Sequence, residues 1–138
     1  MIAIIRIHGK VKLKKDLEET LFRLNIRKKL SCTLIDEKDK IKMGMLNASK
    51  NFVAYGKISD EFMKKLIEKR GKTLDGKKVN PKDVDKIAEE LKKGNWKIKK
   101  FFGLHPPIGG FKKSTKLHAP RGVLGKHEDV SKLMEKML

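Results

Sequence analysis

One cysteine, Cys32, is all that the 138-residue chain contains, so no disulfide can close within it, and that usage fits a reducing compartment. Aromatic residues make up only 6% of the chain, too few for a platform on which successive single-stranded bases stack. No apolar run approaches the roughly 18 residues of a membrane span. The opening Met1-Ile2-Ala3-Ile4-Ile5-Arg6 puts its apolar residues ahead of the first charge, which is not the order of a secretory signal. It reads as a strand. Acidic residues are the scarcest class relative to their counterpart: 17 Asp and Glu face 35 Lys and Arg, a formal balance of +18.

The acids are also unevenly placed. None occurs from Leu91 to Lys126, a stretch that carries Lys92, Lys93, Lys97, Lys99, Lys100, Lys112, Lys113, Lys116, Arg121 and Lys126. None occurs before Asp16 either, where Arg6, Lys10, Lys12, Lys14 and Lys15 stand, and a third basic group is Arg23, Arg27, Lys28 and Lys29. A long run of one sign repels itself unless a polyanion neutralises it, and nucleic acid is the commonest such partner. The middle, Ser59 to Glu90, mixes both signs as a solvated helical face does.

Hydrophobic spacing gives a coarse outline. Ile2 to Ile7 suits a central strand, and Leu17, Leu21 and Leu24 mark one face of a helix with Asp16 as its cap and Glu19 as the returning member of a capping box. Ser31 to Ile35 reads as a second strand, Met43 to Asn51 as a second helix, and Phe52 to Tyr55 as a third strand stopped at Gly56. Strands joined by helices often run parallel, but three short strands with two helices also suit a split, ferredoxin-like α+β layout. That layout is the expectation here, with one sheet face under the helices and the other free for a partner. Beyond it, Ser59 caps a helix containing Phe62, Met63, Leu66 and Ile67, and Asp75-Gly76 signals a hairpin-type turn. Asn80-Pro81 starts a helix closed by Gly94, and Trp96 and Ile98 suggest a brief strand. Gly103 to Gly125 predicts irregular backbone, ordered only against a partner, before a terminal helix bearing Val130, Leu133, Met134 and Met137. The expected division is a βαβαβ core over 1–58, a helical arm over 59–95, and a basic extension with a terminal helix over 96–138.

Enzyme chemistry finds no foothold. Gly71 to Lys78 has the glycine spacing of a phosphate-binding loop, but Lys78 stands where Ser or Thr must hold magnesium, and a turn explains it better. The four histidines and Cys32 match no paired ligand spacing. The carboxylates fall on helix starts and mixed-charge faces. No catalytic residue, cofactor, metal or small-molecule substrate is assigned.

The glycines and prolines from Phe101 to Lys113 let backbone approach a phosphate, and Arg121 can grip one through two bonds. Such a surface reads the backbone of folded RNA rather than a base sequence. At this point the residues resemble a known family, the large-subunit ribosomal protein L-thirty in its longer archaeal form, related to the eukaryotic protein L-seven. The match is carried by Ile4-Ile5-Arg6-Ile7-His8-Gly9, Leu21-Phe22-Arg23-Leu24-Asn25-Ile26, Cys32-Thr33-Leu34-Ile35, Gly44-Met45 and Asn51 to Gly56. Late in the chain it continues through Leu104-His105-Pro106-Pro107, Gly109-Gly110 and Gly122 to His127. The resemblance implies a three-stranded antiparallel sheet with two helices, and structural binding of the long large-subunit rRNA (23S type). It also implies 5S rRNA nearby, neighbouring ribosomal proteins, a place in cytoplasmic ribosomes, and no catalysis. By analogy His105, Lys112, Lys113, Lys116 and Arg121 lie in the RNA-contacting extension. Charge adds Arg6, Lys10, Lys12, Arg27, Lys28, Lys99, Lys100 and Lys126 to the expected contacts. Ile108 departs from the pattern, following Pro107 where archaeal relatives commonly carry Arg. An RNA- or DNA-processing enzyme of similar fold and a basic membrane-surface module are the competing readings.

Overall fold

All five residues of the first strand, β1 (Ile2–Arg6), are buried, a pattern possible only where both faces of a sheet are covered. The computed structural model, which describes all 138 residues, shows how. Strands β2 (Ser31–Ile35) and β3 (Val53–Lys57) flank β1, both antiparallel to it. Outside them lie β4 (Phe102–Gly103), β5 (Ser114–His118) and β6 (Gly122–Asp129), giving one six-stranded sheet in the order β4-β2-β1-β3-β6-β5. The β3–β6 pair is parallel, so the sheet is mixed. The expected three-stranded antiparallel sheet is therefore only its centre. Two-residue β4 was too short to announce itself, and the alternation in β6 is interrupted by Gly125 and the charged residues beyond it.

Helices α1 (Lys15–Arg23) and α2 (Lys40–Ser49) cover one face, where Ile2, Ile4, Leu21, Leu24, Ile26, Ile35, Leu46 and Val53 form the smaller core. The other face, expected to be open, is covered by α3 (Asp60–Arg70), α4 (Val84–Lys92) and the C-terminal α5 (Ser131–Glu135). Ala3, Ile5, Cys32, Leu34 and Ala54 meet Phe62, Leu66, Ala88, Leu91, Phe102, Val123 and Met134 there in the larger core. Complete burial of a side chain the size of Phe102 stabilises the fold by about 2–3 kcal/mol. The 103–125 segment is thus not an unordered strap. Its apolar residues Leu104, Val123 and Leu124 are buried in this core while its lysines point outward.

Local signals explain most boundaries and correct some. Ser59 caps α3, its hydroxyl accepting from the Phe62 amide, and Gly94 takes a positive φ to end the α4 turn. Pro81 opens a tight helical turn that leads into α4, although the Asn80 side chain makes no capping bond. Asp16 does not cap α1: Lys14 holds that position without a side-chain bond, and Asp16 and Glu18 lie in the first turn, where they favour the helix dipole. Helix α2 begins earlier than expected because Asp39 caps it, accepting from the Lys42 amide. Gly56 does not stop β3 but sits inside it. A Cβ there would lie 2.5 Å from the His127 carbonyl oxygen, so glycine is what lets β6 pack against β3.

Candidate nucleic-acid interface

Strand register decides which loops meet. Arg6 lies opposite Val53, Ser31 opposite Gly103, Ala54 opposite Gly125 and Ser114 opposite Gly122, all towards one end of the sheet. Loops 7–14, 24–30 and 104–113 and the turn at 119–121 leave from that end. They carry Lys10 and Lys12, then Arg27 and Lys28, then His105, Lys112 and Lys113, and finally Arg121, all of them exposed. The connections thus draw together cations that are more than a hundred residues apart in the chain. The opposite end carries Asp36, Glu37, Glu128 and Asp129, with Glu37 paired to Lys57 at 3.3 Å.

Four expected contacts lie away from this end. Lys99 and Lys100 precede β4 along the outer edge, where the Lys99 amide donates to Lys72 and the Thr33 hydroxyl donates to the Lys100 carbonyl at 2.8 Å. Lys116 sits on the exposed edge strand β5, and Lys126 lies opposite Tyr55 in mid-sheet. Few of these charges are compensated. Among the expected contacts only Lys10 meets a carboxylate, Glu18 at 3.4 Å, and in the acid-free stretch only Lys92 and Lys97 do, at Asp60 and Glu90. Exposed pairs of this kind contribute little, so they leave the cationic end nearly intact.

Arg6 must be corrected. Its side chain is 1% exposed and cannot reach a phosphate. Its guanidinium donates to the carbonyls of His8 (2.9 Å), Gly9 (3.0 Å), Ile26 (3.1 Å) and Arg27 (2.8 Å). Burial pushes its pKa below the ordinary arginine value, opposed by the charge of Glu18. A guanidinium stays charged even so. Arg6 therefore acts from inside, tying the loop after β1 to the loop after α1.

Loop 24–30 is further over-determined. Asn25 and Leu30 both take positive φ, a conformation that costs a branched residue such as Leu30 appreciably. The Leu30 amide donates to Arg6, the Leu104 amide to Leu30, and the Ser31 hydroxyl to Lys28. Lys29, placed in a basic group by the sequence, was not counted among the contacts, and Phe22 and Phe101 were not singled out for this surface. The Arg27 guanidinium lies 3.7 Å from the centre of the Phe22 ring, and Phe22 and Phe101 remain 51% and 45% exposed. An exposed Phe beside Lys99-Lys100 was the available signal for Phe101; nothing in the spacing of Phe22 and Arg27 announces their stacking.

No family model matches the chain. Curated relatives do. It is 33% identical to large ribosomal subunit protein uL30 of Staphylothermus marinus, over all of this chain and 98% of that one. It is 31% identical to the protein of the same name from Archaeoglobus fulgidus, over 99% of each. A third relative of that name, from Cenarchaeum symbiosum, is 33% identical over 98% of this chain and 96% of its own.

Proposed function

The chain belongs to the uL30 family of large ribosomal subunit proteins, and from that premise we propose that it is a structural constituent of the large subunit which binds folded rRNA mainly through phosphates. Its role is structural, not catalytic. The partners are the 23S-type rRNA, 5S rRNA nearby, and neighbouring ribosomal proteins, and its place is in cytoplasmic ribosomes. The observation that carries this reading is the gathering of uncompensated cations at one end of the sheet: Lys12, Arg27, Lys28, Lys112, Lys113 and Arg121. Phosphates meeting that end release counterions, which makes binding salt-dependent. Lys116 and Lys126 extend the contact along the β5–β6 edge, and Lys99 and Lys100 along the β4 edge.

Two measurements test the proposal. The protein should co-sediment with large subunits. Its affinity for rRNA should fall by roughly 0.7–0.9 log units per log unit of salt for each phosphate neutralised, so six contacts give a slope of about −4 to −5. A flat salt response overturns it.

A further inference from the structure

The groove beside loop 24–30 has features that phosphate binding alone does not require. About 560 Å³ in volume, it is lined by Asn25, Arg27, Lys28, Lys29, Leu30 and Phe101 among others, and falls in the size range of small-ligand sites. Its three cations have no carboxylate partner. Its floor is fixed by the Leu30–Leu104 backbone bond and, through Arg27, by buried Arg6. The Arg27 guanidinium carbon already lies 3.7 Å from the centre of the Phe22 ring, and Arg27 stays exposed, so a flat partner can reach it. The Phe101 ring supplies a second flat apolar surface.

We infer that this groove takes one unpaired RNA nucleotide, its base stacked on Phe101 and Arg27 and its phosphates held by Lys28 and Lys29. Stacking on aromatic rings and guanidinium planes is how proteins hold bases that have left a helix. A protein segment would need carboxylates to match these cations and would gain less from two flat surfaces. A single base fits where a stacked strand does not, since Phe101 is the one aromatic ring lining the groove. The inference rests on the RNA-binding reading above and adds the kind of RNA feature that this part of the surface selects.

The test uses the full chain and two synthetic RNA hairpins with the same stem, one fully paired and one with a single bulged adenosine, compared by fluorescence anisotropy at fixed salt. The bulged hairpin should bind about 10-fold more tightly, the gain expected of one stacked base. Phe101→Ala should abolish that preference, lowering affinity for the bulged hairpin about 10-fold more than for the paired one, and Phe101→Trp should keep it. Equal affinity of the unaltered protein for both hairpins overturns the inference, as does an equal loss on both in a Phe101→Ala protein that melts normally. Either result leaves the phosphate-binding reading standing. Absence of salt-dependent binding to both hairpins overturns that reading and the groove together.

Discussion

Replacing Arg6 should damage the protein more than any other single change to an arginine or lysine. The Arg6→Ala side chain leaves four carbonyls, those of His8, Gly9, Ile26 and Arg27, without the donor they now share. A hydrogen bond to a charged group is worth about 1.5–3 kcal/mol, but the four are not additive, and the partly buried acceptors recover some hydration once the side chain is gone. A buried acceptor left without its donor costs about 1–3 kcal/mol, so with partial rehydration of the four the loss is about 3–5 kcal/mol. Arg6→Met should fare little better although it fills the space, because the orphaned acceptors are backbone and cannot be replaced along with the charge. For a chain of this size the unfolding entropy is roughly 0.3 kcal/mol/K, so the melting temperature should fall by about 10–17 °C. Circular dichroism melts at neutral pH, with reversibility checked, read this directly. A fall of less than about 5 °C for Arg6→Ala would refute the argument that Arg6 fastens the two loops.

The Lys112→Ala, Lys113→Ala, Arg121→Ala triple variant should reduce the salt slope of rRNA binding by about 2–3 while shifting the melting temperature by less than about 2 °C; an unchanged slope removes these residues from the interface. Gly56→Ala should destabilise by about 1–3 kcal/mol in denaturant titrations, because the added Cβ meets the His127 backbone rather than a yielding side chain. Cys32 is fully buried and burial pushes its thiol pKa up, so a thiol reagent should label it only after denaturation; prompt labelling of the native protein contradicts the packing. Acid should weaken the fold through three aspartates whose pKa values are lowered: Asp39 by the Lys42 amide, Asp60 by the Lys92 ammonium, and Asp129 by the Ser131 amide. Because the unfolded chain binds these protons more readily, their contribution is complete above the ordinary carboxylate pKa of about 3.9 and is lost as pH falls through the lowered native values. Melting temperature measured from pH 6 to pH 2.5 should drop in that window, and less so in Asp39→Asn.

The sequence made some of this legible and hid the rest for physical reasons. The helix–strand alternation up to Tyr55 could be read because Leu21 and Leu24 follow the helical period and Ile2 to Ile5 form a continuous run. The covered second face was implicit in that run, since a strand open on one side alternates, and Ala3 and Ile5 do not give way to polar residues. Strand β6 stayed hidden because Gly125, with positive φ, and exposed Lys126 look like loop composition. Charge counting found the cationic end but misassigned Arg6. A formal charge says nothing of direction, and only the carbonyls of residues 26 and 27, brought near by α1, turn that side chain inward. The groove at Phe101 was invisible for the same reason: its walls come from segments about seventy residues apart.

The parallel pairing of β3 with β6 sets the timing of assembly. Ala54 waits for Gly125, which emerges from synthesis about seventy residues later, and contacts of that separation form slowly. Until then one margin of β3 has an unfilled row of amides and carbonyls, open to the wrong strand. The loops bearing Lys12 and Lys28 can be shaped early by nearby contacts, whereas Arg121 arrives only with the final segment. The cationic end therefore matures in two stages, and a chain released short of β6 would carry half of that charged surface beside an adhesive edge.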